Sequence, residues 1–311
     1  MNTLKENGTG FLRNLAMKTE LSARLFRRAF YWVELGGMKY ERIDGVTLPK
    51  IGFGTWKIGG GSTADRSMDA ISKAALHAAL EIGYTHFDTA EMYANGHAEE
   101  VLGEVVREST VQRDALFITS KVTPAHLHYD QVLRSCESSL RRLQMEYVDL
   151  YLIHWPQAGM KLADTFRALN KLVRDGKVKN LGVSNFGLKL LKQAQGSCET
   201  PILTDQVPYS LSDRSYVSNG VREYCQQNDI LLTAYSPIDE GRLRPTQTLN
   251  EIAAAHNASI YQVALAWVVS KPRVITIPMS LNPQHIRENF AAVDMVELTK
   301  SELQQLDLEE Q

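Results

Sequence analysis

The 311-residue chain is short of several things, and each shortage narrows what it does. Cysteine is scarce: Cys136, Cys198 and Cys225 are an odd number, lie far apart and form no Cys-x-x-Cys pair. That argues against a disulfide framework or a zinc knuckle and for a reducing, cytoplasmic compartment. No apolar run approaches the roughly 18 residues of a membrane span. Neither sign of charge dominates, since 34 Lys and Arg stand against 36 Asp and Glu for a net of −2. The basic stripe that nucleic acid requires is therefore missing. Nucleotide and nucleophile signatures are incomplete as well. Gly52-Phe53-Gly54-Thr55-Trp56-Lys57 begins as a dinucleotide fingerprint but has Lys57 where the third glycine belongs. Gly182-Val183-Ser184-Asn185-Phe186 begins as a nucleophile elbow but closes on Phe186. A phosphate-cradling GxxxxGK[ST] loop is absent.

What remains is ordinary globular composition, 44% hydrophobic and 23% charged, with one asymmetry. Residues 1–37 hold six cations, Lys5, Arg13, Lys18, Arg24, Arg27 and Arg28, against three glutamates. The segment lacks the apolar core of a secretory signal, and its glutamates do not suit a transit peptide. It reads as a poorly ordered or loosely helical extension, with Met38 a candidate native start.

From Met38 onward short β-branched and aromatic runs recur, at 51–55, 84–88, 116–121, 148–154, 178–184, 202–206, 230–235 and 274–278. Helical stripes separate them: Met68, Ile71, Ala75 and Ala78; Val132, Leu133, Cys136, Leu140 and Leu143; Leu162, Phe166, Leu169, Leu172 and Val173. Strand and helix alternating eight times predict an α/β fold, a closed (β/α)8 TIM barrel over residues 38–311. A doubly wound sheet is the rival, but it normally carries the glycine fingerprint that is missing. Asp44-Gly45 between 39–43 and 46–50 predicts a β-hairpin at the barrel bottom.

In such a barrel the chemistry sits at the C-terminal strand ends. There the sequence places Thr55 and Trp56, Asp88, Lys121, His154, Ser184 and Asn185, Gln206, then Tyr235 and Ser236. Taken singly, Asp88 is an N-cap, Lys121 a solvated cation, and His154 and Tyr93 packing residues. Together, on neighbouring strands, they converge. An ammonium beside a phenol lowers its pKa, a carboxylate holds the ammonium, and a histidine orients a carbonyl oxygen. The expected product is a general acid that protonates an alkoxide as hydride reaches carbon.

These segments make the chain resemble the aldo-keto reductases over about 38–308. The resemblance rests on Gly52–Trp56, on Gly83–Tyr93 with its His86-Phe87-Asp88-Thr89-Ala90 core, and on Glu99–Gly103. Lys121, Asp149–Pro156 and Gly182–Phe186 complete it. It implies a barrel that reduces aldehydes or ketones with a nicotinamide cofactor, using a tetrad of Asp88, Tyr93, Lys121 and His154. Cofactor contacts implied are Thr55, Trp56 and Asp88; Ser184, Asn185 and Gln206 on the carboxamide; Tyr235 stacked on the nicotinamide; Ser236, Pro237 and Ile238 over the pyrophosphate; and Ser280, His285, Glu288 and Asn289 at the adenosine end. Trp56, Tyr93, His154 and Trp155 are the implied substrate contacts, and no metal is expected.

Met279 and His285 stand where many members carry Lys and Arg to grip the 2′-phosphate of NADP; the resemblance still implies NADP(H) as cofactor, with NAD(H) as alternative. Short loops and a short tail imply an open site, a small carbonyl compound as partner, and an assembly compatible with a monomer. Two other readings stand beside it: a cofactor-binding regulatory subunit docked through the leader, which the resemblance also implies as an alternative, and a metal-dependent hydrolase suggested by His126-Leu127-His128.

Overall fold

The computed structural model describes residues 38–309, and the expected extension, residues 1–37, lies outside the described residues. The chain enters through an antiparallel hairpin, β1 (Tyr40–Ile43) and β2 (Val46–Pro49). Its turn places Asp44 and Gly45 at φ 46° and 77°, the left-handed pair a two-residue hairpin needs. Ile43 and Leu48 pack against Leu150, Leu152, Leu203, Leu231 and Ile275, so the hairpin forms a floor beneath the main sheet.

Eight parallel strands make up that sheet: β3 (Phe53–Gly54), β4 (His86–Asp88), β5 (Phe117–Val122), β6 (Val148–Ile153), β7 (Val178–Ser184), β8 (Ile202–Pro208), β9 (Leu231–Tyr235) and β10 (Val274–Thr276). Each pairs with its neighbour in sequence order. Between the first and last, Ile51 bridges Thr276, the Gly52 amide donates to Thr276 O at 2.8 Å, and the Thr276 amide donates to Lys50 O at 2.8 Å. The sheet is thereby closed into the expected barrel. Gly54 is required at this seam, because a Cβ there would meet Ile277 O at 2.6 Å.

The outer helices are α1 (Asp69–Ile82), α2 (His97–Glu108), α3 (Tyr129–Leu143), α4 (Leu162–Arg174), α5 (Leu188–Ser197), α6 (Ser215–Ser218), α7 (Val221–Gln227), α8 (Gln247–Ala255), α9 (Ile260–Ser270), α10 (Pro283–Met295) and α11 (Lys300–Leu308). The stripes foreseen on α3 and α4 face the barrel, with Val132, Cys136, Leu140 and Leu143, and Phe166, Leu169 and Leu172, all buried. On α1 the stripe is rotated. Ser72, Ala75, Leu76, Ala79 and Ile82 are buried while Ile71 is exposed, because Leu76 and Ile82 claim the inward face. The terminal strands are shorter than expected, and Tyr84 lies outside β4 with its hydroxyl donating to Ile286 O at 3.0 Å. Among the described residues no single helix is long and apolar enough to cross a membrane, and none of their side chains cluster as a metal site. His126 instead meets Ser135 Oγ at 2.9 Å.

Candidate active site

The strand order sets the chemistry. Asp88 ends β4, Lys121 lies one residue from the end of the neighbouring β5, and His154 follows β6. Asp88 and Lys121 are fully buried, and Lys121 Nζ donates to Asp88 Oδ1 at 2.5 Å, to Thr89 O at 2.8 Å and to Tyr93 Oη at 3.1 Å. An ammonium has three hydrogens, and all three are placed. Tyr93 therefore accepts from Lys121, and its own hydroxyl proton is left to point elsewhere.

Tyr93 reaches this position from a tight turn, Tyr93–Gly96, in which Ala94, Asn95 and Gly96 have φ 48°, 53° and 89°. A left-handed Ala is unfavourable by about 1–2 kcal/mol. The turn is held against that cost by the Ala94 amide, which donates to Gly61 O at 2.8 Å. The Tyr93 ring packs edge-on to Trp56 and to His154, with centroids 5.2 and 5.5 Å apart.

Burial pushes the Tyr93 phenol above its ordinary pKa, against the pull of the Lys121 ammonium. The lowering expected from Lys121 alone is thus corrected, since removal of water from the phenolate outweighs the attraction. Burial also works to lower Lys121, but Asp88 and Tyr93 outweigh it and leave the ammonium raised. His154 is held down at about 3 by burial and by Lys121, so its imidazole is neutral at physiological pH, and its Nδ1 has no protein partner.

Beside the tetrad lies a layer of polar side chains from the next strands. Gln206 Nε2 donates to Asp88 Oδ2 at 2.8 Å, Ser184 Oγ to Gln206 O at 2.7 Å, and Asn185 Nδ2 to His154 O at 3.1 Å. Tyr235 Oη donates to Asn185 Oδ1 at 2.9 Å. Thr55 Oγ1 caps the end of β4 through Asp88 O at 3.0 Å.

One cavity of about 1020 Å³ joins these groups. Thr55, Trp56, Asp88, Tyr93, His154 and Trp155 line one part of it, with both indoles partly exposed. Ser184, Asn185, Gln206 and Tyr235 line another, as do Ser236, Pro237 and Ile238. Ser280, His285, Glu288 and Asn289 also line it. Of the site residues expected from the sequence, Lys121 alone is not on the wall. It sits behind Asp88 and Tyr93. Arg287, the cation nearest His285 in the sequence, is exposed and does not line the cavity.

Sequence reasoning passed over several wall residues, Met92 and Tyr261 among them, and one contact of note. Lys57 Nζ meets Glu240 Oε2 at 3.2 Å, tying the loop after β3 to the loop after β9 across the cavity. Tyr261 donates to Gly241 O at 2.9 Å from the far side. Lys57 is next to Trp56 in the chain, but nothing local in the sequence pairs it with a residue 183 positions away.

Comparison with known proteins agrees with this geometry. The aldo/keto reductase family model matches residues 50–308. The chain is 41% identical over 270 residues to methylglyoxal reductase YeaE of Escherichia coli, covering 84% of this chain and 91% of that protein. It is 38% identical over 264 residues to glyoxal reductase of Bacillus subtilis, covering 85% and 90%. Among solved structures it is similar to the thermostable aldo-keto reductase Tm1743 in complex with the inhibitor epalrestat, with a TM-score of 0.84, 43% identity and 87% and 99% coverage. It also resembles an aldo/keto reductase from Klebsiella pneumoniae in complex with NADP and acetate, with a TM-score of 0.78, 38% identity and 87% and 94% coverage. From the closed barrel, the Asp–Lys–Tyr–His mouth and a match running through nearly every strand, it follows that this chain is an enzyme of the aldo/keto reductase family.

Proposed function

We propose that the enzyme reduces small aldehydes and ketones, 2-oxoaldehydes such as methylglyoxal foremost, with NADPH preferred and NADH accepted. The observation that carries this is the saturation of Lys121. With its three N–H groups committed, Tyr93 can only accept from it, which frees the phenolic hydrogen for an oxygen in the cavity. The wall fits a nicotinamide dinucleotide. Tyr235 offers an aromatic face beside the amides and hydroxyl of Asn185, Gln206 and Ser184, and the volume of about 1020 Å³ is at the upper end of ordinary ligand pockets.

When bound, that group supplies the hydride. The protein residues do the rest. Trp56 and Trp155 flank a small substrate, and neutral His154 gives a hydrogen bond to the carbonyl oxygen and fixes its angle. Tyr93 then transfers its proton to that oxygen, and Lys121 holds the phenolate that results. In alcohol oxidation the same groups run in reverse. At the adenosine end Ser280 and His285 would take a 2′-phosphate. Among the described residues the wall's one lysine, Lys57, is already paired and no arginine lines it, which is why the preference for NADPH should be modest.

The glyoxal and methylglyoxal reductases to which the chain is similar support the substrate class. The working unit proposed is residues 38–311, in the cytoplasm, with buried free thiols at Cys136 and Cys225 in keeping with a reducing compartment. The test tracks NADPH and NADH oxidation against glyoxal, methylglyoxal and simple aldehydes. Tyr93→Phe should lose about 10²–10⁴-fold in kcat, and undiminished turnover would remove Tyr93 from its role. Deleting residues 1–37 should leave kcat unaltered.

A further inference from the structure

His97 opens α2, four residues after Tyr93, and its side chain is 6% exposed. Its two ring nitrogens meet two different acids: Nδ1 lies 2.8 Å from Glu100 Oε2 and Nε2 lies 2.7 Å from Asp69 Oδ1. Ionised carboxylates only accept, and a neutral imidazole has a single N–H. Both contacts are hydrogen bonds together only when the ring is an imidazolium.

The ring also lies close against a third segment. A Cβ on Gly59 would come within 2.7 Å of His97 Cδ2. The Gly59 amide is fixed to Ser72 Oγ of α1 at 3.0 Å, and Gly61 O holds the Ala94 amide of the tyrosine turn. His97 thus fastens α1, α2 and the loop after β3. These carry or abut two of the aromatic residues of the mouth, Tyr93 and Trp56.

We propose that the imidazolium of His97 is a positioning residue that holds Tyr93 and Trp56 in register, so that its deprotonation slackens the catalytic turn. This rests on the role given to Tyr93 above. The charged groups facing the ring are Asp69 of α1, Glu100 of α2 and Arg66 before α1. The Gly59–Gly61 turn brings none, and Arg142 of α3, which lies against Gly96, is paired with Glu99. Burial works to discharge the ring, but the bonds to Glu100 and Asp69 and the Asp69 charge outweigh it, with Arg66 opposing, and lift His97 above the ordinary histidine pKa. The sign comes from that direction. The fastening is present below the ordinary histidine value and is lost as pH rises through the raised one.

Asp69→Asn separates this from other causes. With an amide at position 69, a neutral imidazole donates through Nδ1 to Glu100 and accepts at Nε2 from Asn, so both links survive deprotonation. For aldehyde reduction by the full chain, wild-type kcat should fall about 5- to 10-fold across the His97 titration with little change in KM. Asp69→Asn should hold its plateau through that range, and His97→Gln should be low throughout. Coincident alkaline limbs in wild type and Asp69→Asn would overturn the proposal.

Two readouts do not need turnover. In ¹⁵N-histidine-labelled protein the His97 ring should be doubly protonated at pH 7. Trp56 emission, taken by difference from Trp56→Phe, should shift with pH in wild type and not in Asp69→Asn. A neutral ring at pH 7, or a Trp56 signal indifferent to the His97 titration, would overturn it even if the carbonyl reductase reading had already failed.

Discussion

Removing the Lys121 cation would strand Asp88, a carboxylate with no exposed surface. Losing one partner of a buried pair typically costs about 3–5 kcal/mol, so Lys121→Met should lower both the thermal midpoint and kcat. Asp88→Asn in the same chain should restore part of the midpoint and none of the activity. Asp205 is the opposite kind of acid. Among the described residues its Oδ2 has no partner and its Oδ1 accepts only a 3.4 Å bond from the Phe186 amide, and burial raises it well above the ordinary aspartate value. Between the unfolded and folded pKa values the unfolded chain gives up this proton first, so stability declines as pH rises through that window. Asp205→Asn should therefore be more stable than wild type in urea at pH 7 and nearly equal to it in mild acid. A variant less stable at pH 7 would show that the buried carboxyl is not a liability. Asp88, Lys121 and His154 were legible in the sequence because each closes an apolar run. Asp205 was not, since a carboxyl inside a strand looks the same whether its proton is held or lost.

The strands were legible because β-branched runs bounded by polar residues repeat at a regular interval. Helix α1 has its buried face rotated from the expected one, for a sequence rich in alanine offers several stripes and only the barrel decides among them. The hairpin was plain from Asp44-Gly45, a pair whose backbone demand is local. The clasp of Lys57 and Glu240 was invisible, because its partners come from loops that only the closed barrel brings together. Both side chains are substantially exposed, which limits such a pair to about 0–1 kcal/mol. Lys57→Glu should accordingly speed NADPH release by about two- to fivefold in stopped-flow, the effect shrinking with added salt. Glu240→Lys in the same chain should slow it again, and an unaltered release rate would mean the loops are held by Tyr261 alone.

At the scale of the molecule, the barrel is stopped at one end. Ile43 and Leu48 fill the floor with leucine and isoleucine partners, and the catalytic cavity is lined from the C-terminal strand ends at the opposite rim. Within that cavity depth is graded: Gln206 is 3% exposed while Trp155 is 44% exposed. A ligand group against Gln206 lies deeper than one against Trp155, so the deeper ligand is expected to arrive first and leave last. The enzyme should then load and unload last in, first out. Its turnover should show compulsory order, with NADP⁺ competitive against NADPH and the alcohol product not competitive against it.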